Sequence, residues 1–282
     1  MKNNKNQEIK LIKPISGLTL FDIHELKNYR DLFYFLVLRD IKAIYKQTVL
    51  GFSWAIIRPV FSMIIFSIVF GGLAKVPSDG VPYPIFSYAA LIPWIYFSSA
   101  MADSSQSLIT RKEIFTKVYF PRLIIPLTPV LSKIVDFTIS FIILIGLMLW
   151  YKIVPTINII FLPLLIILML LSASGIGMWL SAMSIQYRDI PQGIQFLSQL
   201  LMYLAPVVWP LSLFTEKFGE TAKLFYGLYP MVGIIEGFRS SLLGHSPMPW
   251  DIILMGTLSS IIIFITGAFY FKRKEGIFAD VA

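Results

Sequence analysis

Cysteine is absent from the sequence, and charged residues are scarce. Without cysteine, the chain has neither disulfide bonds nor thiolate metal sites. Only 14% of its 282 residues are charged, while 56% are hydrophobic and the mean hydropathy is +0.74. Because soluble domains carry about 25% charged residues, this balance excludes an ordinary soluble domain. Several apolar runs reach the ~20 residues that a helix needs to cross a bilayer, so we expect an all-α integral membrane protein.

Motifs that hold nucleotides or carry out hydrolysis are also missing. No G-x-x-x-x-G-K-[ST] loop occurs, so the chain lacks the usual cradle for ATP phosphates. It contains no G-x-S-x-G or H-E-x-x-H pattern. Its two histidines, His24 and His245, fall on opposite sides of the membrane in the topology derived below. These absences argue against an enzyme, and we expect that the chain holds no metal or cofactor of its own.

Six apolar runs are predicted to cross the membrane. They cover about residues 53–74, 85–107, 129–150, 157–184, 193–213 and 251–271. With both termini on the inner side, the inner segments contain 17 Lys and Arg residues and the outer segments contain five. Positive residues accumulate on the cytoplasmic side of membrane proteins, so this bias predicts that both termini are cytoplasmic. The formal net charge of +8 is thus a topology signal, and nucleic-acid binding is not expected.

The N-terminal part of the chain is predicted to contain a polar cytoplasmic segment and an interface helix. Segment 1–30 has no apolar region ahead of a small-residue cleavage site, so no cleaved signal peptide is expected. Segment 31–52 is predicted to contain an amphipathic helix that lies in the inner headgroup region. Its apolar face comprises Val37, Leu38, Ile41, Ile44 and Tyr45, and its basic face comprises Arg39, Lys42 and Lys46. The membrane domain follows at 53–271 and a cytoplasmic tail at 272–282.

Arg58 and Pro59 stand a few residues into the first apolar run. A charge at mid-bilayer costs ~2.5–3.5 kcal/mol on insertion scales. Arg58 lies ~10 Å beyond Gly51 in a helix, so its side chain can reach back to the inner interface. Pro59 is tolerated where neighbouring groups satisfy the freed carbonyl. Snorkelling and a functional role both remain open for Arg58.

Two short inner segments, 111–127 and 186–192, are bracketed by membrane runs. Three prolines are predicted to set sharp breaks in them, namely Pro121, Pro126 and Pro191. Short, stiff elements of this kind are suitable contacts for a motor domain. Alternatively, Arg122 and Arg188 serve only as positive-inside signals. The pattern leaves both interpretations open.

The outer segment 203–244 contains two apolar pieces that are too short to cross a bilayer. We expect an extracytoplasmic re-entrant hairpin between spans five and six, which needs protein or water around its open backbone. Glu236 and Arg239 are spaced i, i+3, and they either pair on one helical face or contact substrate. Lys133 and Asp136 have the same spacing near the inner end of span three, where we expect a structural pair.

Small residues and aromatic residues each allow two interpretations. Segment 172–179, SASGIGMW, lets helix backbones approach closely, either within one subunit or at a subunit interface. Aromatic residues make up 15% of the chain and gather toward its outer half. An interfacial belt explains most of them, while sugar stacking would explain a minority. The candidates for a glycan path are Trp94, Tyr203, Trp209 and Tyr229.

From about residue 30 to its end, the chain resembles a family of bacterial membrane proteins in five successive segments. They are 38-LRDIKAIYKQTVLGFSWAIIRP-59, 120-FPRLIIPLTPVLSKIVDF-137, 186-QYRDIPQ-192, the pair 206-PVVWP-210 and 229-YPMVGIIEGFRSSLLG-244, and 272-KRKEGIFADV-281. The family is the membrane subunit of ABC exporters for lipid-linked polysaccharides, within the type-2 ABC permease superfamily. Its members export O-antigen, teichoic acid and capsule polymers.

The resemblance implies a homodimer that works with two copies of a separate ABC ATPase, which would bind ATP and magnesium. A polyprenyl-diphosphate-linked glycan would pass between the two subunits, with its carrier facing the lipid of the bacterial inner (plasma) membrane. The residues implied for ATPase coupling are Lys117, Arg122, Arg188 and Asp189. Those implied for the carrier diphosphate or the cytoplasmic gate are Arg39, Lys42, Lys46 and Arg58. Those implied for the outer hairpin are Pro230, Glu236 and Arg239.

Three other functions remain open from the sequence. A drug or small-lipid exporter of the same superfamily would share the six-span plan. A membrane enzyme of glycan or lipid synthesis would need clustered acids or metal ligands near one interface, and the sequence shows no such cluster. An ion-coupled carrier would more often show inverted repeats and broken helices at mid-membrane.

Overall fold

A computed structural model describes residues 27–46, 51 and 53–278. The described residues form helices joined by short connections. In chain order the α-helices are α1 (Arg30–Lys46), α2 (Ser53–Phe66), α3 (Tyr83–Thr110), α4 (Lys112–Lys117), α5 (Ile124–Ser132), α6 (Ile134–Trp150), α7 (Leu162–Ser184), α8 (Ile190–Leu204), α9 (Leu211–Tyr226), α10 (Pro230–Leu243) and α11 (Trp250–Lys274). A π-helical segment, Ser67–Leu73, continues α2, and 3₁₀ turns at Ile157–Phe161 and Glu275–Ile277 precede α7 and follow α11. Most of the predicted N-terminal segment 1–30 and the last residues of the predicted tail lie outside the described residues.

Five helical stretches within the described residues are long and apolar enough to cross a membrane. They are Ser53–Leu73, Tyr83–Thr110, Ile124–Trp150, Ile157–Ser184 and Trp250–Ile277. The first four agree with predicted spans one to four, and the last agrees with predicted span six. The chain is therefore a multi-pass membrane protein.

Predicted span five, at 193–213, is not confirmed as a spanning helix. The helix in this region, α8, contains 15 residues and ends at Leu204, which is short of the ~20 residues that a bilayer requires. Ala205 is extended, with φ −76° and ψ 152°. It precedes Pro206, and the ring of a proline drives the residue before it out of the helical region. The apolar run in the sequence extends beyond Leu204, whereas the helix ends at that residue.

The third span begins earlier than its hydrophobic pattern indicated. The sequence prediction placed Pro126 at a sharp break and began span three at residue 129. In the structure α5 begins at Ile124, and α5 and α6 together form one apolar stretch, Ile124–Trp150. Pro126 is the third residue of α5, within the first turn, where a proline costs no internal hydrogen bond. The prediction of a break at Pro126 was therefore wrong.

Helix α3 is the centre of the bundle. Most of its side chains are buried, including Ile85, Tyr88 and Phe97, and it packs against α2, α5, α6, α7, α8 and α10. In contrast, Pro59 is the one buried residue of α2. The two ends of α3 define the two ends of the bundle. We call the end near Tyr83 the outer end and the end near Thr110 the inner end.

Helix α1 lies in the region of the predicted interface helix, and it packs against α5 at the inner end. Its one buried residue is Leu36, which the predicted apolar face did not include. Leu36 belongs to a separate small core that also contains Phe120, Phe271 and Phe278. The C-terminal turn therefore folds back against the bundle, with the Phe271 and Phe278 rings 5.1 Å apart. The position of α1 relative to a lipid surface stays a prediction.

The small residues of segment 172–179 pack inside one subunit. A Cβ atom on Gly175 would lie 2.7 Å from the backbone nitrogen of Phe264 in α11, and one on Gly267 would lie 2.3 Å from the Gly175 carbonyl oxygen. Ser172 and Ser260 are hydrogen-bonded across the same pair of helices, with their Oγ atoms 2.8 Å apart. Of the two interpretations of this segment, the structure shows the contact between α7 and α11.

We predict that Gly175→Ala destabilises the protein by about 1–3 kcal/mol, because the added methyl meets backbone atoms that move only if a helix moves. Gly146→Ala is the matched control, since a Cβ at Gly146 in α6 meets nothing within 4 Å; it should leave stability unchanged or raise it by up to about 1 kcal/mol. Thermal unfolding of the detergent-purified variants measures both effects. Equal melting temperatures for the two variants would contradict the close packing of α7 and α11.

Candidate functional site

The outer end contains a stretch of open backbone between α8 and α9, at residues 205–210, which we call the outer break. Its peptide groups are outside any helix, and a buried or membrane-embedded carbonyl without a partner is costly. Side chains from two other elements, α10 and α3, supply partners within the break. Pro230, which was predicted for the outer hairpin, is the first residue of α10, and the re-entrant path of this segment stays a prediction.

Arg239 of α10 provides most of the hydrogen bonds at the outer break. Its guanidinium donates to the carbonyl oxygens of Val207 at 2.8 Å and Trp209 at 3.4 Å, and also to that of Phe86 in α3 at 3.3 Å. It also lies over the Phe86 ring, 3.6 Å from the centroid. The planar fork of an arginine donates in several directions at once, which suits this cluster of carbonyls.

Glu236 balances the charge of Arg239. Its carboxylate accepts a hydrogen bond from Arg239 at 2.7 Å, and both side chains are almost fully buried, at 7% and 4% exposure. The predicted i, i+3 pair is therefore confirmed. Arg239 also donates to the carbonyls of the outer break, which spacing alone did not indicate.

Three tyrosines complete the hydrogen bonding around the break. Tyr83 of α3 donates to the Val208 carbonyl at 2.6 Å, Tyr226 of α9 donates to the Leu204 carbonyl, and Tyr229 donates to the Leu201 carbonyl at 3.4 Å. Tyr229 was predicted as a glycan contact, and the structure gives its hydroxyl a partner in the backbone.

An aromatic groove of about 800 Å³ opens beside the break. It includes the predicted glycan contacts Tyr203 and Trp209, together with Phe214, Phe218 and Tyr226. The rings of Trp209 and Tyr226 are stacked 5.8 Å apart, and those of Phe214 and Tyr226 are 4.6 Å apart. Trp94 does not join this group, because it is buried in the core of the bundle at 3% exposure. Only two of the four predicted aromatic residues thus lie together on an open surface.

Helix α8 carries a row of exposed amide side chains that the sequence prediction missed. Gln192, Gln195 and Gln199 are exposed and follow i, i+3, i+7 spacing, with Tyr203 next on the same face. We call these three residues the glutamine stripe. It leads from the inner end of α8 toward the aromatic groove. The signal was available in the sequence as polar residues at helical spacing within an apolar run.

A second cavity, of about 280 Å³, lies toward the inner end and is lined by residues of α1, α2, α3 and α6. Arg58, Tyr45, Lys133 and Asp136 contribute its polar surface. Lys133 pairs with Asp103 at 3.0 Å and with Asp136 at 3.6 Å, which confirms the predicted Lys133–Asp136 pair. Arg58 forms no ion pair with any residue that the structure describes. We call this space the inner cavity.

The other predicted carrier contacts lie elsewhere on α1. Lys42 and Lys46 are exposed, and Arg39 pairs with Asp40 at 3.3 Å. None of these three side chains is among the residues that line the inner cavity. Tyr45, on the same helix, does line it and donates a hydrogen bond to Asp136. Burial, followed by that hydrogen bond, raises the pKa of the Tyr45 phenol, so it remains a donor at physiological pH.

The two predicted coupling segments lie at the same end of the bundle. Helix α3 ends just before α4, and α7 ends just before the turn that contains Arg188 and Asp189. The Oγ atoms of Ser107 and Ser181, near these two helix ends, are 3.2 Å apart. Lys117, Arg188 and Asp189 are exposed. Arg122 instead donates to the Glu275 carbonyl at 2.6 Å and ties the first segment to the C-terminal turn.

Comparison with known proteins gives a family match and several full-length relatives. Residues 31–243 match the family model described as ABC-2 type transporter. The chain is 26% identical over 255 residues to the O-antigen export system permease protein RfbA of Myxococcus xanthus, a match that covers 90% of this chain and 96% of that protein. It is 24% identical over 252 residues to RfbA of Klebsiella pneumoniae, covering 89% and 95% of the two chains.

A more distant relative is named for a different polymer. The polysialic acid transport protein KpsM of Escherichia coli is 22% identical over 247 residues, and the match covers 85% of this chain and 92% of that protein. The matched relatives thus share nearly the whole length of this chain.

We predict that Arg239→Met destabilises the protein by about 3–5 kcal/mol, because it leaves Glu236 as an unpaired buried charge and removes donors from the outer break. Lys217→Met is the control, since it deletes an exposed cation of the same outer region. The yield of monodisperse protein and its melting temperature in detergent measure the change. A melting temperature for Arg239→Met equal to that of Lys217→Met would show that the outer break is held by other means.

Proposed function

This chain belongs to the ABC-2 type transporter family, and we propose that it is the membrane subunit of an exporter for polyprenyl-linked polysaccharide. The observation that carries the proposal is the match, over nearly the full length of each protein, to permeases named for O-antigen and polysialic acid transport. The chain would move the glycan from the cytoplasmic face to the outer face of the bacterial inner membrane. Energy would come from two copies of a separate ABC ATPase, since this chain has no phosphate-binding loop.

A polar passage along α8 is consistent with a carbohydrate substrate. Glutamine amides are costly in hydrocarbon unless they find partners, so the exposed glutamine stripe favours contact with water, sugar or another protein surface. Amides donate to and accept from sugar hydroxyls, and the aromatic groove at the end of the stripe offers flat apolar faces. A purely lipidic substrate would need neither amides nor this change from polar to aromatic surface.

A homodimer would enclose that passage. Helix α2 has a single buried residue, Pro59, on the single chain, and most of α8 is exposed. A second copy that faces these helices would shield the glutamine stripe from lipid. In this arrangement α8 and the outer break would form the fifth membrane segment, and α9 with α10 would form the re-entrant hairpin. Both termini would lie in the cytoplasm, in keeping with the distribution of Lys and Arg.

The inner cavity would receive the head group of the carrier. It joins the cationic side chain of Arg58 to apolar walls formed by Trp54, Ile92 and Ile95, which is the combination that a lipid diphosphate requires. An arginine fork matches phosphate oxygens in a bidentate way. The absence of an ion pair on Arg58 among the described residues leaves its charge available for such a ligand.

Coupling to the ATPase would use the exposed inner surfaces. Lys117 on α4 and the Arg188–Asp189 turn lie at the same end of the bundle, where a cytoplasmic motor would dock. Arg122 would act within the chain by holding the C-terminal turn.

Depletion of the protein in its native host tests the proposed function. We expect long polyprenyl-linked polymer to accumulate on the cytoplasmic side and surface polymer to fall, as measured by extraction and sugar analysis of lipid-linked glycans. Re-expression of the chain should reverse both changes. Normal surface polymer and unchanged lipid-linked glycan, in a host without a second exporter, would contradict the proposal and favour a drug or small-lipid exporter.

We predict that Arg58→Ala lowers glycan export by about 10- to 100-fold at normal levels of folded protein, because hydrogen bonds to charged groups contribute about 1.5–3 kcal/mol. Arg58→Lys should retain part of the activity, since it keeps the charge and loses the fork. Arg30→Ala removes an exposed arginine of α1 and is the control. Full export by Arg58→Ala would contradict a role in binding the carrier and would favour a snorkelling side chain that serves only topology.

A further inference from the structure

Two polar contacts hold α1 to the bundle at the inner end. Asp40 of α1 accepts a hydrogen bond from Arg111, and Tyr45 of α1 donates a hydrogen bond to Asp136 of α6. These contacts cross 71 and 91 residues of sequence, respectively, so neither is a local feature of the helix. Helix α1 also makes apolar contacts around Leu36.

Arg111 occupies the junction between the membrane span and the coupling segment. It follows Thr110, the last residue of α3, and precedes Lys112, the first residue of α4. One arm of its guanidinium pairs with Asp40, and the other donates to the Ile125 carbonyl of α5 at 2.9 Å. A single side chain therefore connects α1 and α5 to the start of α4.

The environment of Arg111 makes this contact hard to break. Its side chain is 9% exposed, and that of Asp40 is 18% exposed. Burial lowers the pKa of Arg111, while the charge of Asp40 opposes that shift, and an arginine stays protonated in proteins. Separation of the pair would leave a buried guanidinium without its counter-charge. If α4 moves, the Asp40–Arg111 ion pair should therefore stay intact and α1 should move with α4.

We propose that the Asp40–Arg111 ion pair transmits movement of the coupling segment to α1. The inference rests on the proposed function, in which an ATPase pushes on α4. Arg111 acts as a positioning residue, because it contacts neither the carrier nor the ATPase in this role. Helix α1 contributes Tyr45 and Ile44 to the wall of the inner cavity, so its displacement changes the shape of that cavity. The ion pair thereby links ATP hydrolysis to the site proposed for the carrier head group.

The exposed pair Arg30–Asp31 provides a matched control on the same helix. Its nitrogen and oxygen atoms are 3.4 Å apart, and the two side chains are 75% and 93% exposed. Exposed pairs of this kind contribute little to stability. Reversal of its charges should leave every measured property unchanged.

Charge reversal and exchange in the full transporter, reconstituted with its ATPase in lipid vesicles, test the inference. The quantity to measure is glycan exported per ATP hydrolysed. We expect Asp40→Arg to lower this ratio roughly tenfold or more, the range of a typical coupling between sites, while ATP hydrolysis continues. The exchange of both residues, Asp40→Arg with Arg111→Asp, should restore most of the ratio. The control exchange, Arg30→Asp with Asp31→Arg, should match the unmodified protein.

Several outcomes would overturn the inference. A pair with only a structural role would lower export and ATP hydrolysis together, in proportion to the amount of folded complex. An unchanged ratio in folded Asp40→Arg, or an exchange that folds without restoring the ratio, would also contradict it. If Asp40→Arg does not fold, Asp40→Ala replaces it, because it removes the acceptor for Arg111 without placing a second cation beside it; an unchanged ratio there would count against the inference. Failure of the unmodified complex to export glycan would instead contradict the proposed function.

Discussion

The need to pair every backbone carbonyl at the outer break governs the outer half of this protein. A helix that ended at Leu204 without further contacts would expose unpaired peptide groups to a poorly hydrated environment. Arg239 and Tyr83 bring donors to Val207, Val208 and Trp209 from other elements. Because these donors must converge, α10 is held against α3, and its burial follows from that requirement. Glu236 then becomes necessary, since a buried guanidinium needs a counter-charge as well as acceptors.

The central helix α3 extends from the outer break to the inner end of the bundle. Tyr83, its first residue, donates to the outer break, and Arg111, immediately after its last residue, pairs with α1. A helix of 28 residues is about 42 Å long, and most of it is packed on all sides. Such an element transmits displacement as a rigid body better than the exposed α2, whose neighbours within the chain are few. The proposed homodimer contact and the proposed glycan passage both use the open faces of α2 and α8.

Hydrophobic length was sufficient to predict most of the spans, because membrane helices depend on local composition. The spacing of Glu236 and Arg239 was likewise sufficient to predict their pairing. The end of α8 at Leu204 and the start of α5 at Ile124 depend instead on where a proline falls within a turn, which apolar content does not encode. The burial of Trp94 was mispredicted for a related reason, since a belt residue and a core residue have the same composition signal. The glutamine stripe was available from helical periodicity, but the hydrophobicity of α8 concealed it.

Three arginines within or beside apolar segments show how far local sequence can assign a role. Arg111, Arg239 and Arg58 all invite the interpretation of a snorkelling or topological charge. Arg239 and Arg111 both have carboxylate partners, yet the partner of Arg239 is three residues away and that of Arg111 is 71 residues away. Only the first is visible as a pattern. Arg58 lines a cavity and has no ion pair among the described residues. Arg58 differs from the other two in that it lies beside an apolar cavity without an ion pair to any described residue, and for this reason the proposed function assigns its charge to a ligand.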